Sequence, residues 1–303
     1  MYAERGLSTA RARVTCWGAR GTCPSPGAHT VRYGGNTACV DVQLADGSRV
    51  ILDAGTGLRA LGQSLPSTSR LDGAVSPLAL VLTHLHSDHV SGLAHFAPII
   101  TRSHRVRVAC GGVNAATLRV VVDQQLSPPL FPTLDGIAEA LTVEAFDAAD
   151  TFVVSTSCRV RAFAAHHPGG ASILRVDDAI GPLVAYAPDN ELACADEDPS
   201  RMTWRAGLVE SLRGIPVLLH DATYSGDELA MHRGWGHSSA EEATQFAMQC
   251  AAGTLVLTHH HPDRTDDQVD AIVARCRAIV QEAGSTMTVM AAAEGMLLDV
   301  VPG

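Results

Sequence analysis

The 303-residue chain is acidic, rich in aliphatic side chains and poor in aromatic ones. Hydrophobic residues make up 46% of it, enough for a large buried core, but aromatic residues make up only 4%, so alanine, valine and leucine must fill that core. The formal net charge of −10 argues against a protein that grips long nucleic acid through its phosphates, although bound metal cations would still allow a small anionic substrate.

The first part of the chain predicts three strands joined by glycine-rich turns. The apolar runs lie at residues 13–17, 38–44 and 49–52, and Asp46-Gly47 between the last two is a hairpin signal. Arg20 follows the first strand and is interpreted either as an anion contact or as a solvated charge. Asp53 ends the third strand, where it either orients a ligand histidine or caps a turn.

The next apolar run leads directly into a dense group of potential metal ligands. Residues 84–89 read His-Leu-His-Ser-Asp-His, and imidazole and carboxylate are ligands that Zn²⁺ and related ions prefer. Alternate residues of an extended segment point the same way, so His84 and His86 can close on one ion. Asp88 and His89 come after the turn and can face a second ion. A lone histidine would be interpreted as a hydrogen-bonding loop residue, but four such side chains at one strand end predict a metal site.

The middle of the chain predicts further elements and two more strand ends with ligand-type residues. A short helix at 90–98, a strand at 106–109, a helix at 115–125 and a proline-rich loop at 127–132 come first. The loop is either a wall of a substrate cleft or a surface connection packed on the sheet. Strands follow at 152–155, 159–165, 172–176 and 182–187. The second of these delivers His166-His167 and the fourth delivers Asp189.

The last third repeats the pattern of apolar strands that end in polar groups. Helices are predicted at 202–213, 240–251 and 266–283, and strands at 216–219 and 254–258. The strands lead into His220-Asp221 and into His259-His260-His261, and His237 precedes the middle helix, whose N-cap is Ser238 or Ser239. Alternating strands and helices predict an α/β architecture with one domain over residues 1–303.

The cysteines and the hydropathy predict the compartment. Cysteines are scattered, without a CxxC pair, at Cys16, Cys23, Cys39, Cys110, Cys158, Cys194, Cys250 and Cys276. Such spacing predicts free thiols in a reducing environment. Residues 1–13 lack the apolar core of a signal peptide, and no apolar run approaches the ~20 residues of a membrane span. We therefore expect a soluble, cytoplasmic protein without a membrane partner.

The run at residues 84–89 resembles the His-x-His-x-Asp-His signature of the metallo-β-lactamase superfamily. Asp53-Ala54-Gly55 is similar to the family's early Asp-x-Gly strand end, and the resemblance extends along nearly the whole chain. It implies an αββα sandwich, in which helices flank two mixed β-sheets. It also implies two divalent ions, with Zn²⁺ favoured over Mn²⁺ or Fe²⁺.

The resemblance also implies a ligand set. One ion would be held by His84, His86 and His167, the other by Asp88, His89 and His259, with Asp189 bridging the two. The family pattern His-Pro-Gly-Gly selects His167 over His166, and its ligand directly after the last apolar strand selects His259 over His260 and His261. Asp88 is expected to be catalytic as well, since residues 84–89 would generate the hydroxide held by the metals.

Within the superfamily, the sequence is most similar to the phosphodiesterase branch that includes ribonuclease Z. Gly236-His237-Ser238-Ser239 is similar to that branch's Gly-His-Ser-Thr motif, and His220-Asp221-Ala222-Thr223 to its His-Glu-Ala-Thr. The resemblance implies that His237, held by Asp221, protonates the leaving oxygen. The alternative is that His237 only begins a helix.

The expected substrate is a small anionic phosphodiester such as a cyclic nucleotide. Ribonuclease Z carries a long, basic arm that grips transfer RNA, and nothing in this acidic chain resembles it. No long nucleic acid is therefore expected, and a homodimer is left open. The alternatives are a lactone, thioester or β-lactam hydrolase with the same metals, an RNA-processing nuclease, and a metal-binding protein that has lost its activity.

Overall fold

The computed structural model describes residues 10–66, 78–132, 136–146, 150–192 and 198–301. Within these ranges two β-sheets pack face to face, and helices cover their outer faces. This arrangement confirms the αββα sandwich. Residues 1–9, which are most of the N-terminal segment predicted to lack a signal peptide, lie outside the described residues. Cys194 lies outside them as well.

The strands fall largely where continuous or alternating apolar runs predict them. They are β1 (Ala12–Gly18), β2 (Cys39–Leu44), β3 (Arg49–Leu52), β4 (Leu78–Leu82), β5 (Val106–Gly111), β6 (Leu141–Phe146), β7 (Thr151–Val153), β8 (Arg159–Ala165), β9 (Ala171–Asp177), β10 (Pro182–Ala187), β11 (Val217–Asp221), β12 (Thr254–Thr258), β13 (Thr288–Ala291) and β14 (Leu297–Val300). The sequence analysis does not predict β6, β13 and β14. All three are edge strands, which bury less apolar surface and therefore carry a weaker pattern.

The helices are α1 (Leu58–Ser64), α2 (Ser87–Val90), α3 (Ala97–Ile100), α4 (Ala115–Gln125), α5 (Ile137–Ala140), α6 (Pro199–Ser211), α7 (Gly226–Leu229), α8 (Ala240–Gln249) and α9 (Asp266–Glu282). The prediction of one helix over residues 90–98 is wrong. The chain there forms the end of α2, a 3₁₀ turn at Leu93–His95 and the start of α3. Pro98 lacks an N–H and its ring would clash with a carbonyl of the preceding turn, so a helix can restart at this proline but cannot run through it.

Both sheets have the same plan. The first has the order β14-β1-β2-β3-β4-β5-β6 and the second the order β13-β12-β11-β10-β9-β8-β7. In each sheet one half pairs antiparallel, and the other half, β3 to β6 or β10 to β13, pairs parallel. Parallel strands place their carboxyl ends at one edge of a sheet. Three of the four strands that lead to predicted ligands, β4, β10 and β12, belong to these parallel halves. The fourth, β8, is antiparallel to β9 and therefore runs in the same direction as β10, so all of the ligands can meet.

Three apolar layers hold the sandwich together. The central layer joins the inner faces of the two sheets and includes Val42, Val81, Val184 and Leu219. One outer layer packs α1, α3 and α4 on the first sheet, and the other packs α6, α8 and α9 on the second. Aliphatic residues dominate all three layers, as the composition predicts.

Two predictions about bulk properties can be compared with the described residues. The cysteines within the described ranges are all free thiols, as expected. In the same ranges, no helix has both the length and the apolar character needed to span a membrane.

Candidate metal centre

All seven predicted ligand residues lie together at one edge of the sandwich. His84 and His86 follow β4, Asp88 and His89 lie in α2, and His167, Asp189 and His259 follow β8, β10 and β12. Residues from four separate stretches of the chain therefore converge, because the strands that precede them (β4, β8, β10 and β12) end at the same edge.

The first group is formed by His84, His86 and His167. Each offers a ring nitrogen, and the three nitrogens lie within 4.8 Å of one another. His86 Nδ1 is 3.1 Å from His167 Nε2. Three imidazoles with nitrogens this close together match the ligand chemistry of zinc.

The second group is formed by Asp88, His89 and His259. Asp88 Oδ2 lies 3.3 Å from His89 Nε2 and 3.4 Å from His259 Nε2. Asp189 lies between the two groups. Its Oδ2 is 3.0 Å from His89 Nε2 and 3.4 Å from His259 Nε2, whereas its Oδ1 is 3.7 Å from His167 Nε2. The carboxylate thus presents one oxygen to each group, as a bridging ligand would.

Several polar atoms at this centre are buried and have no hydrogen-bond partner. They are His84 Nε2, His89 Nε2, His259 Nε2 and Asp189 Oδ2. Asp189 Oδ2 lies 3.0 Å from His89 Nε2 and 3.4 Å from His259 Nε2, but neither contact has the geometry of a hydrogen bond. Buried polar atoms without partners are rare. Four of them on residues of the predicted ligand set fit bound metal cations.

The charges of the centre also suit a cation. Burial alone raises the pKa of Asp189, but His259 and His89 outweigh it and hold that pKa well below its usual value. Burial lowers the pKa of His84 to about 2, so this imidazole is neutral and free to act as a ligand. Ionised carboxylates beside a neutral histidine are the protonation states that metal binding requires.

A buried aspartate and threonine orient two histidines of the centre. Asp53 Oδ2 is 2.7 Å from His89 Nδ1, which is the contact that an orienting role requires. Thr83 Oγ1 lies 2.9 Å from Asp53 Oδ2 and 3.1 Å from His84 Nδ1. Both histidines are therefore held by Nδ1 and turn Nε2 toward the centre.

A second aspartate and threonine orient two histidines on the other side. Asp221 Oδ2 lies 2.8 Å from His237 Nδ1, and Thr223 Oγ1 donates to Asp221 Oδ1 at 2.7 Å. The same hydroxyl is 3.0 Å from His259 Nδ1. The sequence analysis gave Thr223 and Thr83 no role of their own. No sequence signal pointed to these roles, because Thr83 meets Asp53 only in the fold and threonine has many uses at a strand end.

His237 lies next to the metal ligands, and its Nδ1 is 3.9 Å from Asp189 Oδ1. Its position would also allow it to join His167 and Asp189 as a ligand. We favour the non-ligand role because Nδ1, the ring nitrogen that lies 3.9 Å from Asp189 Oδ1, is already engaged by the Asp221 carboxylate at 2.8 Å. Burial lowers the pKa of His237, but Asp221 and then Asp189 outweigh it and raise this pKa to about 9. A metal ion on Asp189 would offset part of that rise.

Glu191 is a positioning residue that the sequence analysis missed. Its buried carboxylate accepts hydrogen bonds from Gly234 N at 2.9 Å and from Gly236 N at 3.0 Å. The carbonyl oxygen of Gly236 in turn lies 3.0 Å from His167 Nδ1. Gly236 has φ +87°, and an added Cβ would lie 2.5 Å from His167 Nδ1, so only glycine fits there. Glu191 therefore holds the loop that carries His237 against a predicted ligand.

The first loop of the chain closes the opposite side. The backbone N–H of Thr22 donates to Asp88 Oδ2 at 2.7 Å. A Cβ on Gly21 would lie 2.2 Å from the His259 ring, so glycine is needed for this close approach. The interpretation of Arg20 as a solvated charge is wrong, because its guanidinium is fully buried and donates to the carbonyl oxygens of Gly34, His261 and Arg264. The anion that it meets belongs to the chain itself, since Arg20 Nη2 lies 3.8 Å from Asp266 Oδ1. Arg20 therefore anchors this loop.

The neighbouring histidines lie outside the ligand group, as the family pattern implies. The His166 ring packs on Trp204, and His260 Nε2 is 3.0 Å from the carbonyl oxygen of Ala292. His261 lines the cleft above the centre. For α8, Ser239 is the N-cap, whereas Ser238 donates to the carbonyl oxygen of Asn190.

A cleft of about 430 Å³ opens onto the centre. Its walls include Thr22, Pro168, Tyr224, Trp235, His261 and Pro262. The loop at 127–132 does not line it, so the interpretation of that loop as a cleft wall is wrong. It is a surface connection, and Leu130 stays 69% exposed instead of packing on the sheet.

Comparison with known proteins finds a similar sequence and similar folds. A ribonuclease Z from an Exiguobacterium species is 29% identical over 238 residues, which cover 65% of this chain and 76% of that protein. The metallo-β-lactamase fold protein YhfI from Bacillus subtilis superposes with a TM-score of 0.67 at 18% identity, over 95% of this chain and 99% of that one. The short form of human tRNase Z superposes with a TM-score of 0.62 at 20% identity, over 96% and 100% of the two chains.

A family model shows the relationship directly. The model described as "Beta-lactamase superfamily domain" matches residues 48–260, most of the chain and all of the predicted ligand set. Together with the two mixed sheets and the histidine and aspartate cluster, this match establishes the family. The chain belongs to the metallo-β-lactamase superfamily, among metallo-hydrolases with ribonuclease Z relatives.

Proposed function

We propose that this protein is a dinuclear metal-dependent phosphodiesterase that cleaves a small anionic phosphodiester, such as a cyclic nucleotide. The observation that carries the proposal is the contact of 2.8 Å between His237 Nδ1 and Asp221 Oδ2, beside the ligand group. Hydrolysis of an activated carbonyl compound does not require such a pair, whereas an alkoxide leaving group needs a proton.

The ligand assignment is part of the proposal. His84, His86 and His167 would hold one ion and Asp88, His89 and His259 the other, with Asp189 between them. Two bound ions would supply water with its pKa lowered from ~15.7 toward ~7 and would neutralise the charge of a phosphate. Zn²⁺ is the favoured ion, since the first group consists of imidazoles alone.

The residues of the chain supply the remaining chemistry. Asp221 fixes the His237 ring through Nδ1, which leaves Nε2 as the atom that can deliver a proton to the leaving oxygen. Proton donation of this kind typically contributes ~10²–10⁴-fold to the rate. Asp221 also supports His259 through Thr223, so one carboxylate orients both the proton donor and a ligand.

A substrate panel tests the proposal. The metal-loaded protein is assayed with bis-p-nitrophenyl phosphate and cyclic nucleotides, in parallel with lactones, acyl thioesters and nitrocefin. We expect turnover of the phosphodiesters and its loss when a chelator removes the metals. Turnover of carbonyl substrates alone would refute the phosphodiesterase proposal. Precursor transfer RNA belongs in the same panel, because its cleavage would favour the nuclease alternative.

Other predictions from the sequence stay predictions. They are the single domain over residues 1–303 and the cytoplasmic location, and the homodimer stays open.

A further inference from the structure

The geometry points to Trp235 as the specificity-determining residue of the cleft. It would hold the planar aromatic part of a substrate whose only charge is its phosphodiester. This inference rests on the proposed function and narrows the class of substrate.

Trp235 is a large apolar side chain at the cleft that remains uncovered. It is 60% exposed although its ring lines the walls of the cleft. An exposed tryptophan in a concave site provides a flat surface on which a planar group can stack. Burial of that surface by a ligand would be favourable, because apolar area leaves water.

The ring is backed by other rings. The His232 ring meets Trp235 edge to face at 5.1 Å between centroids, and it stacks on Tyr224 at 4.3 Å. Tyr224 is itself buried and lines the cleft. The three rings form a continuous row, so Trp235 is supported from behind.

The backbone of this segment is also anchored. Gly234 and Gly236, on both sides of Trp235, donate to the buried carboxylate of Glu191. Gly236 further meets His167 through its carbonyl oxygen. The tryptophan is thus attached to the metal centre by short contacts, and its position relative to a bound phosphate is defined.

The described cleft walls contain no arginine, and the sequence has no lysine at all. Metal ions would meet the phosphodiester, but these walls hold no arginine or lysine for a second phosphate, and His237 serves the leaving oxygen. What they do offer is uncharged surface, from Trp235, Tyr224, Pro168 and Pro262. This chemistry suits an aromatic group joined to one phosphodiester and gives no preference for a longer phosphate chain. The volume of about 430 Å³ lies within the ~300–1,000 Å³ range of small-molecule sites.

A pair of esters with the same leaving group isolates this contact. The p-nitrophenyl ester of thymidine monophosphate and methyl p-nitrophenyl phosphate both release p-nitrophenolate, but only the first carries a base. We expect the wild-type, metal-loaded protein to prefer the thymidine ester. Trp235→Ala should lower kcat/KM for that ester roughly 10–100-fold more than for the methyl ester, mainly through KM. Trp235→Phe should keep most of the preference, because it retains a flat ring.

Met231→Ala is the matched control. Met231 is 79% exposed in the same segment but does not line the cleft, so its loss should leave the preference as in the wild type. Metal content and the midpoint of unfolding confirm that each variant is folded. If the wild type hydrolyses both esters but Trp235→Ala lowers both equally, or neither, the role of Trp235 is refuted and the proposed function stands. If the loaded wild type hydrolyses neither ester, the proposed function itself fails.

Discussion

In the first half of the chain Asp53 contacts Thr83 and His89, and in the second half Asp221 contacts Thr223 and His237. Each aspartate lies at the end of a parallel strand, β3 or β11, and each is fully buried. Each therefore supports one histidine directly and a second one through a hydroxyl group.

The two halves differ in what the directly held histidine faces. In the first half, His89 Nε2 lies 3.0 Å from Oδ2 of Asp189, the carboxylate between the two groups of predicted ligands. In the second half, only the histidine reached through the hydroxyl, His259, has this position, and His237 stands beside the group. Under the proposed function, the same support would hold a metal ligand in one half and a proton donor in the other. The neighbours of the ring, and not the support, would then decide its chemistry.

The largest effect is expected from Asp189, which faces both halves. Asp189→Ala should release at least one ion and lower turnover by at least about 10³-fold, because this carboxylate presents an oxygen to each group. Elemental analysis of dialysed protein measures the metal content. Asp263→Ala, which removes a carboxylate that is 93% exposed, is the control. An unchanged metal stoichiometry in Asp189→Ala would remove it from the bridge.

The next largest effect is expected from His237. It tests the difference between His237 and His89, the two histidines that an aspartate contacts directly. His237→Ala should keep the metal content and lower turnover ~10²–10⁴-fold on a phosphodiester with an alkoxide leaving group. The loss should be much smaller for p-nitrophenyl esters, which need no proton. Rates for a series of leaving groups provide the measurement. An equal loss across the series would contradict the role as proton donor.

Smaller effects on metal retention and turnover are expected from Asp53 and Asp221, the two aspartates that support the histidines. Asp53→Asn should weaken metal retention roughly 10–100-fold, because His89 and His84 both lose their orientation. Asp221→Asn should change the dependence on the leaving group more than the metal affinity, since only one of its two histidines is a ligand. A chelator competition and the leaving-group series, applied to both variants, compare the halves. Identical profiles would mean that the two supports do the same task.

The sequence predicted the parts of this centre that lie close together along the chain or end apolar strands. His84, His86, Asp88 and His89 share one turn, and their ligand chemistry is visible without a fold. The pairing of His237 with Asp221 came from family resemblance, and its geometry required the structure. The relays through Thr83 and Thr223 and the role of Glu191 were not predictable, because threonine and glutamate have many uses at strand ends. Arg20 was misjudged because a loop sequence does not reveal that three carbonyl oxygens surround its side chain.

A third buried aspartate shows what burial does without such surroundings. Asp41 lies on β2 of the first sheet, and its nearest cation is Arg49, whose Nε is 3.5 Å from Asp41 Oδ1. Burial raises the pKa of Asp41 to about 6, and Arg49 offsets only part of this rise. At Asp189, by contrast, histidines reverse the effect of the same burial. The direction in which the pKa of these two buried carboxyl groups moves is therefore set by their neighbours, and not by burial alone.

Asp41→Asn should change the stability of the fold and leave the activity near that of the wild type, whereas a change at Asp189 should affect activity. The unfolded chain loses the Asp41 proton near pH 4, but the folded chain holds it to about 6. The carboxyl group thus stabilises the fold below pH 4, and this contribution is lost as the pH rises through 6. Relative to wild type, the variant should gain on the order of 1–3 kcal/mol of unfolding free energy between pH 4 and pH 7. Urea unfolding at several pH values measures this difference. If the difference in unfolding free energy between variant and wild type does not depend on pH, Arg49 keeps Asp41 ionised. Asp41 would then no longer show that burial raises the pKa of a carboxyl group outside the site.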